Sequence, residues 1–185
     1  MGKFFLVILI IIVLIVIWLI STYNGLVRSR NTVDEAFSTM DVYLKKRFDL
    51  IPNLVEAVKA YAAHEKETLQ AVIVARSQVQ SAGTQEARLE AENALSGTLK
   101  SLFAVAEAYP DLKANAGFLD LQQQLKKVEE DIANSRKYYN GSVKAYNNKC
   151  QTFPSSFIAG TFRFEPRTMF EVSREEEREN VKVEF

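Results

Sequence analysis

The sequence predicts an all-α protein in which an N-terminal single-pass transmembrane helix continues into an antiparallel bundle of three long helices, followed by a short C-terminal helix and an extended tail. Three observations lead to this prediction. An uncharged apolar run opens the chain, apolar residues then recur in steps of three and four, and only 7 glycines and 4 prolines interrupt 185 residues. We divide the chain into a transmembrane anchor (1–22), a helical bundle domain (23–172) and an acidic C-terminal tail (173–185).

The anchor is the run FFLVILIIIVLIVIWLI at residues 4–20, which carries no charge. A helix of ~20 apolar residues crosses the ~30 Å hydrocarbon core of a bilayer, so the lipid bilayer is the first predicted partner. A cleaved secretory signal would have a shorter apolar region and a small-residue cleavage site, and Ser21-Thr22-Tyr23 fits such a site poorly. Lys3 on one flank against Arg28 and Arg30 on the other leaves the orientation open.

A long helix from about residue 22 to about residue 80 is predicted next. Its apolar stripe passes through Pro52, which favours a kink within the helix over a loop, while a separate helix start near Asp49 is the alternative. The spacing contains one extra step of four at Phe48, which we interpret as a stutter, and Glu65 interrupts it. The stripe consists of Val33, Phe37, Met40, Leu44, Phe48, Ile51, Val55, Val58, Ala62, Leu69 and Val72.

Two further helices follow in the predicted bundle. Thr84 is suited to cap the second helix, which should stop before Pro110. The third helix has the most regular stripe of the chain, from Phe118 to Cys150. Because Cys150 ends that stripe, we expect it to be buried and unreactive. From residue 152 the pattern changes to a short helix and extended chain, and the acidic tail reads as a solvated segment.

The sequence offers no residues suited to catalysis, to a cofactor or to a metal ion. The balanced charge, with 23 basic and 23 acidic residues, argues against nucleic-acid binding. His64-Glu65 resembles the start of a zinc-binding H-E-x-x-H motif, but Thr68 stands where the second histidine is required. Neighbouring carboxylates, such as Asp34-Glu35 and residues 129–131, do not face one another on a helix. We therefore expect His64 to be a surface or packing residue and the protein not to be an enzyme.

Six large apolar residues follow the predicted bundle. Leaving all of them in water would create a large apolar patch, which usually marks an interaction site. We therefore predict that the protein is a homo-oligomer, with contacts that involve the first long helix and the aromatic C-terminal segment. The alternative is that all six residues pack back on their own bundle and form no interface. The predicted interface residues are Phe153, Phe157, Phe162, Phe164, Met169 and Phe170.

Residues 23–172 resemble the bacterial LemA family. The resemblance rests on Tyr23-Asn24, the block RFDLIPNLVE at 47–56, His64-Glu65, Tyr146-Asn147 and Phe153-Pro154. It implies a membrane-tethered helical bundle without established enzymatic activity. Some relatives resemble lipoproteins with a cysteine where this chain has Thr22, which implies a domain outside the cytoplasm.

The function we expect is that of a non-enzymatic structural protein that self-assembles as a scaffold at the bacterial envelope, in the inner membrane, where it shapes or organises the bilayer. The family's association with membrane peptidases suggests an alternative role as an adaptor or binding module for such an enzyme. In that case the acidic tail would form part of the contact.

Overall fold

The computed structural model describes residues 2–170, and every regular element in this range is a helix. The all-α prediction with one long apolar N-terminal helix is therefore confirmed, while the acidic tail lies outside the described residues. The helices are α1 (Gly2–Tyr61), α2 (Lys66–Ser81), α3 (Gln85–Ala106), α4 (Pro110–Lys113), α5 (Ala116–Gln151) and α6 (Ser155–Thr161).

The described chain divides into two compact units. The first contains residues 2–39 and 135–169, and the second contains residues 40–134 together with Phe170. In the first unit, α1 opens with a segment whose mean hydropathy reaches 3.5, and none of this segment is buried. By length and composition this helix can cross a membrane, which is consistent with the predicted anchor.

Pro52 lies inside α1, with helical residues on both sides of it. The prediction that Pro52 does not open an interhelical loop is confirmed. The extension of the same helix to residue 80 is wrong, because α1 ends at Tyr61 and the chain turns at residues 62–65 before α2 begins. The Glu65 amide closes this turn by donating to the Ala62 carbonyl at 3.1 Å. An apolar stripe can be buried equally well by one long helix or by two helices that fold onto each other, so periodicity could not distinguish them.

Arg47 occupies the buried position next to the one that the sequence predicts for Phe48. Arg47 is fully buried on the inner face of α1, whereas Phe48 is only partly buried. The charged residue thus lies where an apolar one was expected. The buried positions here are Met40, Leu44, Arg47, Ile51, Leu54 and Val58.

The turns around α3 and α4 follow local rules. Thr84 caps α3 as predicted, because its hydroxyl accepts a hydrogen bond from the Ala87 amide at 3.1 Å. α3 ends at Ala106, before Pro110, and Pro110 begins the one-turn helix α4 where a short connector was expected. Proline suits this first helical position because its missing N–H would have no partner there. α2 packs against α3 in the second unit.

α5 corresponds to the third predicted helix, and its apolar stripe is buried from Phe118 to Cys150. The Asn115 side chain accepts a hydrogen bond from the Phe118 amide at 3.0 Å and so satisfies a free amide at the start of α5. The prediction that Cys150 is buried is confirmed. The short helix expected after residue 152 is α6.

Candidate membrane-proximal site

The first unit joins the membrane-proximal part of α1 to the end of α5. Leu26, Val33 and Ala36 form a buried row on α1 directly after the apolar segment. Further along α1, the ring of Phe37 lies 5.8 Å from that of Tyr139 on α5. Apolar contact therefore holds the second half of α5 against the stretch of α1 that follows the apolar segment.

Polar contacts tie α5 both to α1 and to the chain that follows α6. Lys149 Nζ lies 2.5 Å from Ser29 Oγ and 3.5 Å from the Gly25 carbonyl, and it donates to both. Asn147 exchanges two hydrogen bonds with the backbone of Arg167, each 2.8 Å long. Tyr139 Oη donates to the Thr168 carbonyl at 2.8 Å. We call this set of contacts the juxtamembrane clasp. It consists of Lys149 with Gly25 and Ser29, Asn147 with Arg167, and Tyr139 with Thr168.

An aromatic cluster closes the clasp on the side of the apolar segment. The ring of Tyr23 contacts Phe162 edge-on with centroids 4.9 Å apart, and Phe164 at 5.6 Å. The Arg30 guanidinium lies 5.3 Å from the centre of the Phe164 ring, within the range of a cation–π interaction. The Tyr23 side chain thus links the end of the apolar segment to the chain on both sides of Arg163.

The six residues predicted to form an oligomer interface fall into two groups. Phe164 and Phe170 are 7% and 3% exposed and pack within their own chain, while Met169 is partly buried. Phe153, Phe157 and Phe162 are 88%, 71% and 57% exposed. A role as an oligomer interface remains a prediction for the exposed group. The buried pair belongs to the core of this structure.

Tyr146 and Cys150 lie one turn apart on the buried face of α5. Burial, together with the hydrogen bond to Cys150, raises the pKa of Tyr146 to about 12. Tyr146 is therefore a neutral packing group near neutral pH.

The second unit contains a buried ionic cluster around Arg47. Arg47 donates from Nη1 to Ser96 Oγ at 2.5 Å and to Glu129 Oε1 at 2.8 Å. From Nη2 it donates to the Glu92 carbonyl at 3.2 Å and forms an ion pair with the Glu92 carboxylate. Both carboxylates are bound by the same guanidinium, so the cluster links α1, α3 and α5 and offers no free acid or base.

Sequence reasoning missed this cluster. One signal could have found it: Glu92 is three residues after Leu89 and three before Leu95, which places a charge within an apolar stripe. Arg47 likewise stands at a position of the α1 stripe. Two opposite charges at core positions of different helices predict a buried pair.

The remaining candidates from the sequence stay apart. His64 is exposed in the turn between α1 and α2, and Asp34 and Glu35 are exposed on α1. Asp34 binds the Arg167 guanidinium at 3.5 Å. Within residues 2–170, no three metal-binding side chains cluster.

A groove of about 540 Å³ lies between α1 and α2 in the second unit. Its lining includes apolar residues, among them Pro52 and Leu69, and several charged side chains. Lys59 and Lys66 oppose Glu56, so the groove carries both signs of charge. The lining residues are Ile51, Pro52, Val55, Glu56, Lys59, Ala63, Lys66, Leu69, Gln70, Ile73 and Arg76.

Comparison with known proteins agrees with the resemblance noted above. The sequence profile of the LemA family matches residues 36–185. A curated relative, "Protein LemA" of Metamycoplasma hominis, is 26% identical over 140 residues, which cover 74% of this chain. The aligned region spans 63% of that relative. Since the profile covers most of the chain, including the tail, the protein belongs to the LemA family.

Proposed function

We propose that this protein is a membrane-anchored, non-enzymatic structural protein that self-assembles at the bacterial envelope and organises the bilayer around it. The observation that carries this proposal is the juxtamembrane clasp. Lys149 binds Ser29 and Gly25, and Tyr23 packs on Phe162. The first unit is thus held against the base of its own anchor, as a scaffold at a membrane surface requires.

Self-assembly follows from confinement to a bilayer. Anchored chains share one orientation and a high effective concentration, so weak lateral contacts suffice. We propose that these contacts involve α1, where Val42 is 66% exposed although it lies in an apolar-rich helix. Closed rings are the expected form, since most soluble homo-oligomers have closed symmetry.

The test is the mass of the full-length protein in mild detergent and in lipid nanodiscs, measured by light scattering. We expect oligomers in both, and a monomer in both would contradict the proposal. Val42→Glu should weaken assembly. Ser38→Glu is the matched control, because it adds the same charge to an exposed polar position of α1.

The proposed location is the inner membrane, with the helical domain outside the cytoplasm. The lipoprotein-like arrangement of some family members supports this side. A cysteine introduced at Gly83, in the exposed turn before α3, in a Cys150→Ser background should react with a membrane-impermeant maleimide in intact cells, or in spheroplasts where an outer membrane is present. Labelling only after lysis of the inner membrane would reverse the assignment.

The groove between α1 and α2 favours a second candidate, an adaptor that binds a membrane peptidase or another envelope protein. A lining that combines Ile51, Val55 and Leu69 with charged residues is typical of a surface that receives an apolar side chain of a partner. Ile73→Glu would block the groove. If the adaptor role is correct, this change should abolish capture of such a partner and leave the oligomer mass unchanged. If the protein acts only as a scaffold, the change should affect neither partner capture nor oligomer mass.

A further inference from the structure

The outer face of α6 is unusually apolar for a surface that water would cover. Ile158 and Ala159 point inward and are buried, while Phe157 is exposed on the other side. Phe153 precedes the helix and Phe162 follows it, and both rings are exposed. The sequence of α6, SSFIAGT, contains no charged residue. A helix exposed to water normally carries charged or polar residues on its outer face.

The position of this face relative to the anchor identifies what covers it. Residues 4–23 form 20 residues of α1, which span about 30 Å at about 1.5 Å per residue, the thickness of the hydrocarbon core. Tyr23 therefore lies at the edge of the hydrocarbon. The Phe162 ring is 4.9 Å from the Tyr23 ring, which places it at the same depth. Aromatic side chains are enriched at this level of membranes.

The chain segments beside this face are mostly basic. Residues 21–33 and 144–164 contain five basic residues (Arg28, Arg30, Lys144, Lys149 and Arg163), while the acidic Asp34, Glu35 and Glu165 lie directly outside these two ranges. Contact of Lys149 with Gly25 and Ser29 places its ammonium group within the membrane-proximal part of α1. Basic residues next to a bilayer are attracted to anionic headgroups.

Arg163 supplies an independent observation. It has a φ of 56°, in the left-handed region that residues with a Cβ atom adopt at a cost and that glycine adopts freely. Its backbone ends α6, with the Phe164 amide bonded to the Ala159 carbonyl at 2.9 Å. Glycine would suit this geometry better, so the arginine side chain gives no conformational benefit. Its side chain is exposed and therefore free to bind an anionic group.

We propose that α6 is a second membrane contact. The rings of Phe153, Phe157 and Phe162 enter the interfacial region of the leaflet from which the anchor emerges, and Arg163 and Lys149 bind anionic lipid headgroups. The contact depends on the anchor and is independent of self-assembly. It gives the chain two points of attachment to one leaflet.

The experiment uses the full-length protein in nanodiscs that each hold one chain. Trp18 is the chain's sole tryptophan. Trp18→Phe combined with Phe157→Trp therefore places one fluorophore on the outer face of α6, and brominated lipids report its contact with acyl chains. We expect blue-shifted emission and loss of most of the intensity. The control, Trp18→Phe with Tyr138→Trp, labels an exposed position earlier on α5 and should stay unquenched by lipid and quenched by iodide.

Two results would overturn the proposal. If iodide quenches the fluorescence of the tryptophan at position 157 and brominated lipid does not, the face stays in water. Protection that develops only when nanodiscs hold two chains would assign the face to a second copy.

Arg163→Gly tests the headgroup part. It relieves the left-handed backbone, so the thermal stability of the protein should be unchanged or higher. Lipid quenching of the tryptophan at 157 should nevertheless fall, in discs that contain phosphatidylglycerol, to the level seen in purely zwitterionic discs. The three samples compared are the protein with Arg163 in discs with phosphatidylglycerol, the same protein in zwitterionic discs, and Arg163→Gly in discs with phosphatidylglycerol. Equal quenching in all three would refute the binding of anionic headgroups.

Discussion

Arg76 donates a hydrogen bond from Nε to the backbone carbonyl of Phe48, with the nitrogen and oxygen 3.3 Å apart. This carbonyl is the one that Pro52 deprives of its helical partner, because proline lacks an N–H four residues further on. The Arg76 guanidinium also lies 3.9 Å from the centre of the Phe48 ring. A side chain from α2 thus satisfies the defect that Pro52 creates in α1, which explains how the helix continues through it.

Arg76→Met should lower the free energy of unfolding by about 1–3 kcal/mol, since it keeps the apolar stem but leaves a partly buried carbonyl without a partner. In a Pro52→Ala background the new amide can bond to Phe48, so the same change should cost less. Denaturant unfolding in mild detergent measures both values. Equal costs in the two backgrounds would show that Arg76 acts independently of Pro52.

Removal of Arg47 from its buried cluster should be costly. Arg47→Met leaves Glu92 buried without its partner, and breaking a buried pair in this way costs roughly 3–5 kcal/mol. Replacing both residues by apolar ones should recover much of the loss. Lys45→Met is the matched control one half-turn away, since its pair with Asp49 is exposed and should contribute about 0–1 kcal/mol. Similar losses for Arg47→Met and Lys45→Met would contradict the structure.

The two groups of aromatic residues should respond differently to the same substitution. Phe164→Ser and Phe170→Ser each remove a buried ring and should cost roughly 3–5 kcal/mol. Phe153→Ser and Phe157→Ser alter exposed positions and should change stability by about 0.5 kcal/mol or less. Thermal melting followed by circular dichroism distinguishes them, and a marked loss in the exposed pair would place those rings in the core.

Alkaline pH should destabilise the fold through Tyr146. Its pKa rises from 10.0 to about 12 in the folded chain, so its contribution is fully present below pH 10 and is lost as the pH rises through about 12. Tyr146→Phe should flatten the decline in melting temperature between these two values. A slope that is unchanged in this variant would assign the decline to other groups.

Cys150 should react slowly with a polar maleimide in the native protein, because it is buried on α5. A cysteine at the exposed position Gly83, in a Cys150→Ser background, provides the fast reference. Denaturation should bring the two rates together. Rapid native labelling at Cys150 would mean that this face of α5 opens readily.

Patterns with a local cause were predictable from the sequence. The apolar anchor, the cap at Thr84 and the stripe of α5 follow from length, hydrogen-bonding groups and helical spacing. The turn at residues 62–65 was not, since no glycine or proline marks it and the apolar spacing continues on both sides. Tertiary contacts determine where the chain turns, and they include the hydrogen bond from Tyr109 Oη to Glu65 at 2.9 Å.

The site was predictable only in composition. The sequence shows six large apolar residues after the bundle, but it has no period there that would separate Phe157 from Phe164. Contacts with Tyr23 and Arg30, more than 120 residues earlier in the chain, decide which ring is buried. Arg47 and Glu92 were overlooked because charged residues at core positions are rare. Each can be recognised as buried only when its oppositely charged partner on the other helix is known.

The juxtamembrane clasp also sets an order of events during synthesis. Gly25 and Asp34 receive their partners Lys149 and Arg167 from 124 and 133 residues later in the chain. The ribosome must therefore complete almost the whole protein before Leu26, Val33 and Ala36 can be covered. Until then these three side chains lack the contacts that bury them in the folded unit. If the apolar segment enters a bilayer as it is synthesised, we expect insertion to precede closure of the first unit.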